Sequence, residues 1–249
     1  MTDATLPAGR FAESDFRVGH VVSQSWSVLS RNFPKFFLVS AVAAIPHAAS
    51  DTLGDPFHLL QLWGVKLEGF GPLLGHVLTT LSEAVVLYGA FQDMGGQRVD
   101  LAESLRVGMR RFFPVVGVAI ATTILGLLGV LVFIVPGLMF FALSFVAIPA
   151  CVVEKRGVFS SIGRSAELTR GHRWKILALM ALCYVLEAIA ESVLEPLTGI
   201  AGAGAAFAGH VTWNGAWEAF YAICAVVAYH DLRVAKEGVD TAQIASVFE

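Results

Sequence analysis

What this chain lacks above all is charge. Asp, Glu, Lys and Arg make up only 15% of its 249 residues, where soluble domains average about 25%. Seventeen bases and twenty acids are too few to coat a globule of 26.6 kDa. That scarcity excludes a soluble nucleic-acid binder, a disordered chain and a collagen-like rod. Cysteine is scarce as well. Cys151, Cys183 and Cys224 each sit in an apolar stretch with no CxxC and no His at metal spacing, so they read as buried thiols. Residues 1–30 hold no apolar core of a signal peptide, which leaves insertion to the first membrane helix. The patterns GxSxG and HExxH, a Walker loop and an acid-followed dinucleotide fingerprint are missing too. No enzymatic activity and no cofactor are therefore expected.

What the chain has is hydrophobic length: 56% apolar residues and a mean hydropathy of +0.68. Crossing about 30 Å of hydrocarbon takes about twenty predominantly apolar residues. Six stretches qualify, at 34–50, 70–92, 113–135, 137–153, 174–197 and 209–229. The third and fourth are separated by Val135-Pro136-Gly137, whose Pro/Gly chemistry predicts a tight turn and a helical hairpin. Trp213-Asn214-Gly215 reads as a break before the sixth. The expected fold is an all-α integral membrane protein, a bundle of six transmembrane helices forming one domain over 16–230. Residues 1–15 are expected to be a flexible amino terminus and 231–249 a carboxy-terminal tail.

Basic residues set the orientation. With the amino terminus inside and six alternating spans, sixteen of the seventeen Lys and Arg fall on the inner side, and only Lys66 falls outside. Both termini are thus expected to be cytoplasmic. Three inner segments, each entering an odd-numbered span, look alike. One carries Val22, Trp26, Leu29 and Phe33 ahead of Pro34; the next carries Leu101, Leu105 and Phe112 behind a capping-box-like Asp100-Leu-Ala-Glu103; the last carries Phe159, Ile162, Ala166 and Trp174. Ser25, Ser104 and Ser165 hold similar places in the three. The segments read as three amphipathic interfacial helices, either a threefold repeat or the common look of any helix entering a membrane. Their cations Arg31, Lys35, Arg106, Arg110, Arg111, Arg164, Arg170, Arg173 and Lys175 would form a basic collar facing lipid. Such a collar attracts anionic headgroups at about 1 kcal/mol per exposed charge.

Several stretches taken together resemble a known family. They are Ile134-Val135-Pro136-Gly137-Leu138, Ala147-Ile148-Pro149-Ala150, Ser165-Ala-Glu-Leu-Thr-Arg-Gly-His-Arg-Trp174 and Tyr229-His-Asp-Leu-Arg-Val-Ala-Lys-Glu-Gly238. From about Phe16 onward the chain is similar to the bacterial membrane domain found fused to glycerophosphoryl diester phosphodiesterases, and to that domain's stand-alone relatives. The resemblance implies a bacterial inner-membrane module. In the fused proteins the phosphodiesterase is a separate soluble barrel, and 231–249 is too short to hold one, so a module without the enzyme is expected.

Five carboxylates lie inside the apolar stretches: Glu83, Glu187, Glu191, Glu195 and Glu218. A charge at mid-membrane costs a few kcal/mol even on permissive scales, so each needs a partner, a proton or water. Glu187, Glu191 and Glu195 recur every four residues and form one helical stripe of mutually repelling groups. His47, His76 and His210 fall at the outer ends of spans, as weak candidates for metal binding beside that stripe. The stripe reads either as a structural wet groove or as an ion path. Two functions follow: a non-catalytic module that binds anionic lipid, a membrane-protein partner or a second copy, and a small proton- or ion-coupled transporter.

Overall fold

The computed structural model describes residues 16–53 and 70–237. The expected flexible terminus before Phe16, the tail beyond Glu237 and Lys66 lie outside the described residues. Within them every regular element is a helix and no strand occurs. The order is α1 (Val18–Leu53), α2 (Phe70–Met94), α3 (Leu101–Arg110), α4 (Phe112–Val132), α5 (Ile134–Ser144), α6 (Ala147–Val153), α7 (Val158–Leu168), α8 (Arg173–Ala201) and α9 (Ala203–Glu237). Five stretches among the described residues are long and apolar enough to cross a membrane: Val18–Thr52, Leu73–Met94, Phe112–Val132, Ile134–Val153 and Arg173–Leu197. The multi-pass, all-helical membrane architecture is therefore as expected.

Three helix junctions share one geometry. In α1 the helical path breaks at Asn32 (φ −121°, ψ 20°). Arg111 (φ −100°, ψ 6°) separates α3 from α4, and His172 (φ −115°, ψ 5°) precedes α8. All three occupy the bridge region, where the chain leaves one helix axis and starts another. Seven residues before each break stands a serine, Ser25, Ser104 or Ser165, and all three are fully buried. Four residues after each break stands a buried apolar side chain, Phe36, Val115 or Ile176. Pro34 contributes to the first break, because it has no N–H for the Ser30 carbonyl and its ring crowds that carbonyl.

Two boundaries differ from the sequence expectation. The α4–α5 reversal falls at Phe133, which is extended (φ −151°, ψ 127°), and not at Val135-Pro136-Gly137. Pro136 sits in the first turn of α5, where its missing N–H has no helical partner to lose. Gly137 serves the packing: a Cβ there would lie 2.2 Å from the Val130 backbone nitrogen. Likewise α9 runs unbroken through Trp213-Asn214-Gly215. Gly215 is there because a Cβ would stand 2.7 Å from the Ala41 Cα, and the chain turns instead at Gly202 (φ 91°). Residues 231–237, expected in the tail, form the last turns of α9.

The interior is built from small side chains. Ala219, Ala222, Ala225 and Ala228 of α9 are buried with Ala41, Ala44 and Ala48 of α1, and small residues let helix backbones approach closely in a membrane. Outward, Ile124, Leu127, Leu128 and Leu131 of α4 and Val185, Ile189 and Val193 of α8 are exposed, the apolar belt that hydrocarbon would cover.

Candidate functional site

Two regions carry polar chemistry, and they lie apart. The first is the end of the bundle where the three helix breaks meet the carboxy-terminal ends of α2, α6 and α9. Asp100 caps α3, accepting hydrogen bonds from the backbone N–H groups of Ala102 (2.8 Å) and Glu103 (3.2 Å). The reciprocal half of the capping box is absent: the Asp100 N–H donates to Gln92 Oε1, while Glu103 accepts from Tyr88 and Gln92. Arg31 and Asn32 both donate to Asp93, and Lys35 donates to the Val99 carbonyl at 2.7 Å. Ser165 donates to the Leu143 carbonyl at 2.6 Å, tying α7 to the α5–α6 junction. His20 and Asp231, 3.0 Å apart, join α1 to α9.

The densest part of this end centres on Glu154, immediately after α6. Its carboxylate accepts from Arg164 (2.9 and 3.1 Å), Arg156 (2.5 Å) and the Tyr229 hydroxyl (2.8 Å). Arg164 also donates to Glu237, which accepts from Arg233 at 2.9 Å. Burial by itself would raise the Glu154 carboxyl, but the hydrogen bonds from Arg164 and Tyr229 and the guanidinium charge outweigh it and hold it below its ordinary 4.5. Glu237 is likewise held low, with Arg164 and Arg233 overcoming its desolvation. The Arg164 guanidinium is pushed up by the Glu154 and Glu237 carboxylates in spite of its own desolvation. Sequence reasoning passed over Glu154; its signal was a lone acid at the end of an apolar run, directly ahead of Lys155-Arg156.

This network revises the expected collar. Arg164, with its side chain 9% exposed, is committed to the interior and does not face lipid. Arg31 and Lys35 are exposed but engaged. Arg173 is partly buried and donates weakly to the Ala166 carbonyl; Lys175 is partly buried. Arg106, Arg110 and Arg170 are exposed, and they, with the half-buried Arg111, have no ion-pair partner among the described residues. The amphipathic stripes also split. Leu29 and Ile162 turn inward, whereas Trp26, Leu105, Met109, Phe113, Phe159 and Trp174 stand 50–83% exposed.

The second region is a cavity of about 990 Å³ bounded by α2, α4, α5, α6, α8 and α9. One face of each wall helix lines it at helical spacing: His76, Thr79, Thr80 and Glu83 of α2, Leu177, Met180, Tyr184 and Glu187 of α8, and Trp217, Glu218 and Tyr221 of α9. Three of the five carboxylates therefore converge from three helices. Glu191 and Glu195 do not join them; both are exposed on α8. A four-residue repeat drifts about 40° per step on a 3.6-residue helix, so the stripe leaves the cavity after Glu187. No Lys or Arg lines the cavity, and none of the three carboxylates has an ion pair among the described residues. The threonines, Phe141, Phe145, Tyr184 and Tyr221 carry no sequence signal that singles them out, although Thr79-Thr80 and Thr122-Thr123 stand out as polar pairs inside apolar spans, and Trp217 reads from sequence as an interfacial anchor.

The histidines stay separate. His47 Nδ1 lies 2.9 Å from Asp51, His76 stands at the cavity margin, and His210 lies on α9 outside the lining. No group of three or more His, Cys, Asp or Glu placed to hold a metal ion exists among the described residues. No protein-family model, no curated protein and no solved structure matches the chain.

Proposed function

We propose that the chain is a six-span module of a bacterial inner membrane, with α9 as the sixth crossing and both termini cytoplasmic. It gathers anionic lipid headgroups around its inner face and has no chemistry of its own. In that role it is an accessory or scaffold subunit, as its likeness to the phosphodiesterase-linked membrane domain implies. The reading is supported chiefly by one observation: on two of the three segments that precede the helix breaks, exposed aromatic and aliphatic side chains stand with arginines that have no ion-pair partner among the described residues. Leu105 and Met109 with Arg106 and Arg110 on α3, and Phe159 with Arg170 around α7, make the combination twice, while α1 contributes the exposed Trp26. Apolar groups at that level sink into the acyl boundary while the cations meet phosphate. Asymmetry of basic residues supports the orientation.

The test is native mass spectrometry of the whole chain released from vesicles of mixed phosphatidylglycerol and phosphatidylcholine. Preferential retention of phosphatidylglycerol is the expected result. Replacing Arg106, Arg110 and Arg170 together by Ala lowers that preference by about fivefold per charge, and raised salt lowers it too. Equal retention of both lipids by the unaltered protein overturns the reading.

A second reading, a small proton- or ion-coupled carrier, is favoured by the three carboxylates facing one cavity. It requires a solute or proton flux in reconstituted vesicles that Glu187→Gln abolishes.

A further inference from the structure

We propose that the cavity between α2, α4, α8 and α9 is a binding site for an amphipathic organic cation, a protonated or quaternary amine on an apolar body. The proposal is independent of the lipid collar and asks only for binding.

Charge comes first. Glu83, Glu187 and Glu218 line one cavity in which the described residues include no Lys or Arg, so among them acid is supplied without a base. Glu218 Oε2 is buried with no hydrogen-bond partner among the described residues, although buried polar atoms are rarely left unmatched. A cationic N–H, or a quaternary centre placed beside it, would complete that atom.

The walls between the carboxylates make the second argument. They are largely apolar and aromatic, with Phe141, Phe145 and Met180 among them, which suits the hydrocarbon part of an amphiphile and not a hydrated inorganic ion. Trp217 is held in place, stacked on Trp213 (5.6 Å, 14°) and tilted on Phe220 (5.6 Å, 38°). Tyr221 packs edge-on to Phe145 at 5.7 Å. Fixed aromatic faces beside carboxylates are the usual reception for ammonium groups. The volume, about 990 Å³, is at the upper end of the range for organic-ligand sites. With no metal-binding group of residues among those described, a bare divalent ion is the poorer fit.

Access makes the third argument. Tyr184 lines the cavity and is 72% exposed on α8, among side chains of the apolar belt. The cavity thus reaches the lipid-facing surface, where an amphiphile already concentrates. The same carboxylates repel the anionic headgroups that suit the collar, so the two regions select opposite charges.

The test uses the full chain in phosphatidylcholine nanodiscs and equilibrium binding of radiolabelled tetraphenylphosphonium, with triphenylphosphine oxide as the neutral competitor of similar body. Saturable binding of the cation is expected, with the neutral compound at least tenfold weaker as competitor. Glu83→Gln and Glu218→Gln should each weaken binding about tenfold, and the double variant should lose saturable binding while keeping its thermal unfolding midpoint. Equal competition by the neutral compound overturns the proposal, as does unchanged affinity in a folded double variant. The comparison of the two probes is made on the unaltered protein, so it decides the matter even where a variant fails to fold.

Discussion

Helices α8 and α9 are neighbours in sequence and opposites in environment. The most apolar 18-residue window of the Arg173–Leu197 stretch of α8 has a mean hydropathy of 2.0, yet only 17% of that window is buried inside the bundle. Helix α9 is not among the five stretches apolar enough to qualify as a span, yet its residues from Ala222 to Tyr229 are buried without interruption. The difference teaches that hydropathy in a membrane protein reports the solvent a helix faces, not its distance from the centre. Lipid tails are as apolar as Leu, so nothing drives Leu, Ile and Val inward; close packing and polar contacts decide which helix is central. Alanine and Gly215 give α9 the close approach to α1, and Tyr229, Asp231, Arg233 and Glu237 give its basic end polar anchors.

The largest blow to this contrast comes from cutting the anchor. Glu154→Gln leaves the buried Arg164 guanidinium only the more exposed Glu237 and Glu167 carboxylates and should lower stability by about 3 kcal/mol, read as the unfolding midpoint in mild detergent. Acid should do the same to the unaltered protein. Glu154 and Glu237 are held below their ordinary 4.5, so their contribution is complete above that value and is lost as the pH falls below it. Stability that stays flat well below pH 4.5 would contradict the network.

Next in size is the seam between α1 and α9. Gly215→Val drives a branched side chain into the Ala41 backbone, 2.7 Å from where its Cβ would sit, and should cost about 2 kcal/mol. Smallest is the matching change on α8. Ile189 is 57% exposed, so Ile189→Ala should shift stability by less than about 0.5 kcal/mol in the same unfolding assay. If Ile189→Ala proved as damaging as Gly215→Val, α8 would have a packed partner, and the contrast would fail.

Much of this arrangement was legible before any coordinates. The apolar runs located the helices, and the lead-in segments carrying Trp26, Leu105 and Phe159 look alike in sequence, while the breaks at Asn32, Arg111 and His172 emerge only in the structure. Their three serines were noticed as equivalent, although only the structure shows each of them fully buried. The glycines misled at Val135-Pro136-Gly137 and at Gly215, because a glycine chosen for close packing and one chosen for turning look identical in sequence. The collar was half legible: sequence marks which side chains are cationic but not which are already paired, and Arg164 is spent on Glu154 and Glu237.

By itself the sequence determined that this is an all-helical, multi-pass membrane protein, because apolar spans are a one-dimensional property. Which carboxylates share a space was decided only by the tertiary structure. Glu83, Glu187 and Glu218 meet because the rotation of α2, α8 and α9 about their own axes turns those three faces toward one cavity. That rotation is set by side-chain packing between helices distant in the chain, which no spacing along a single helix encodes.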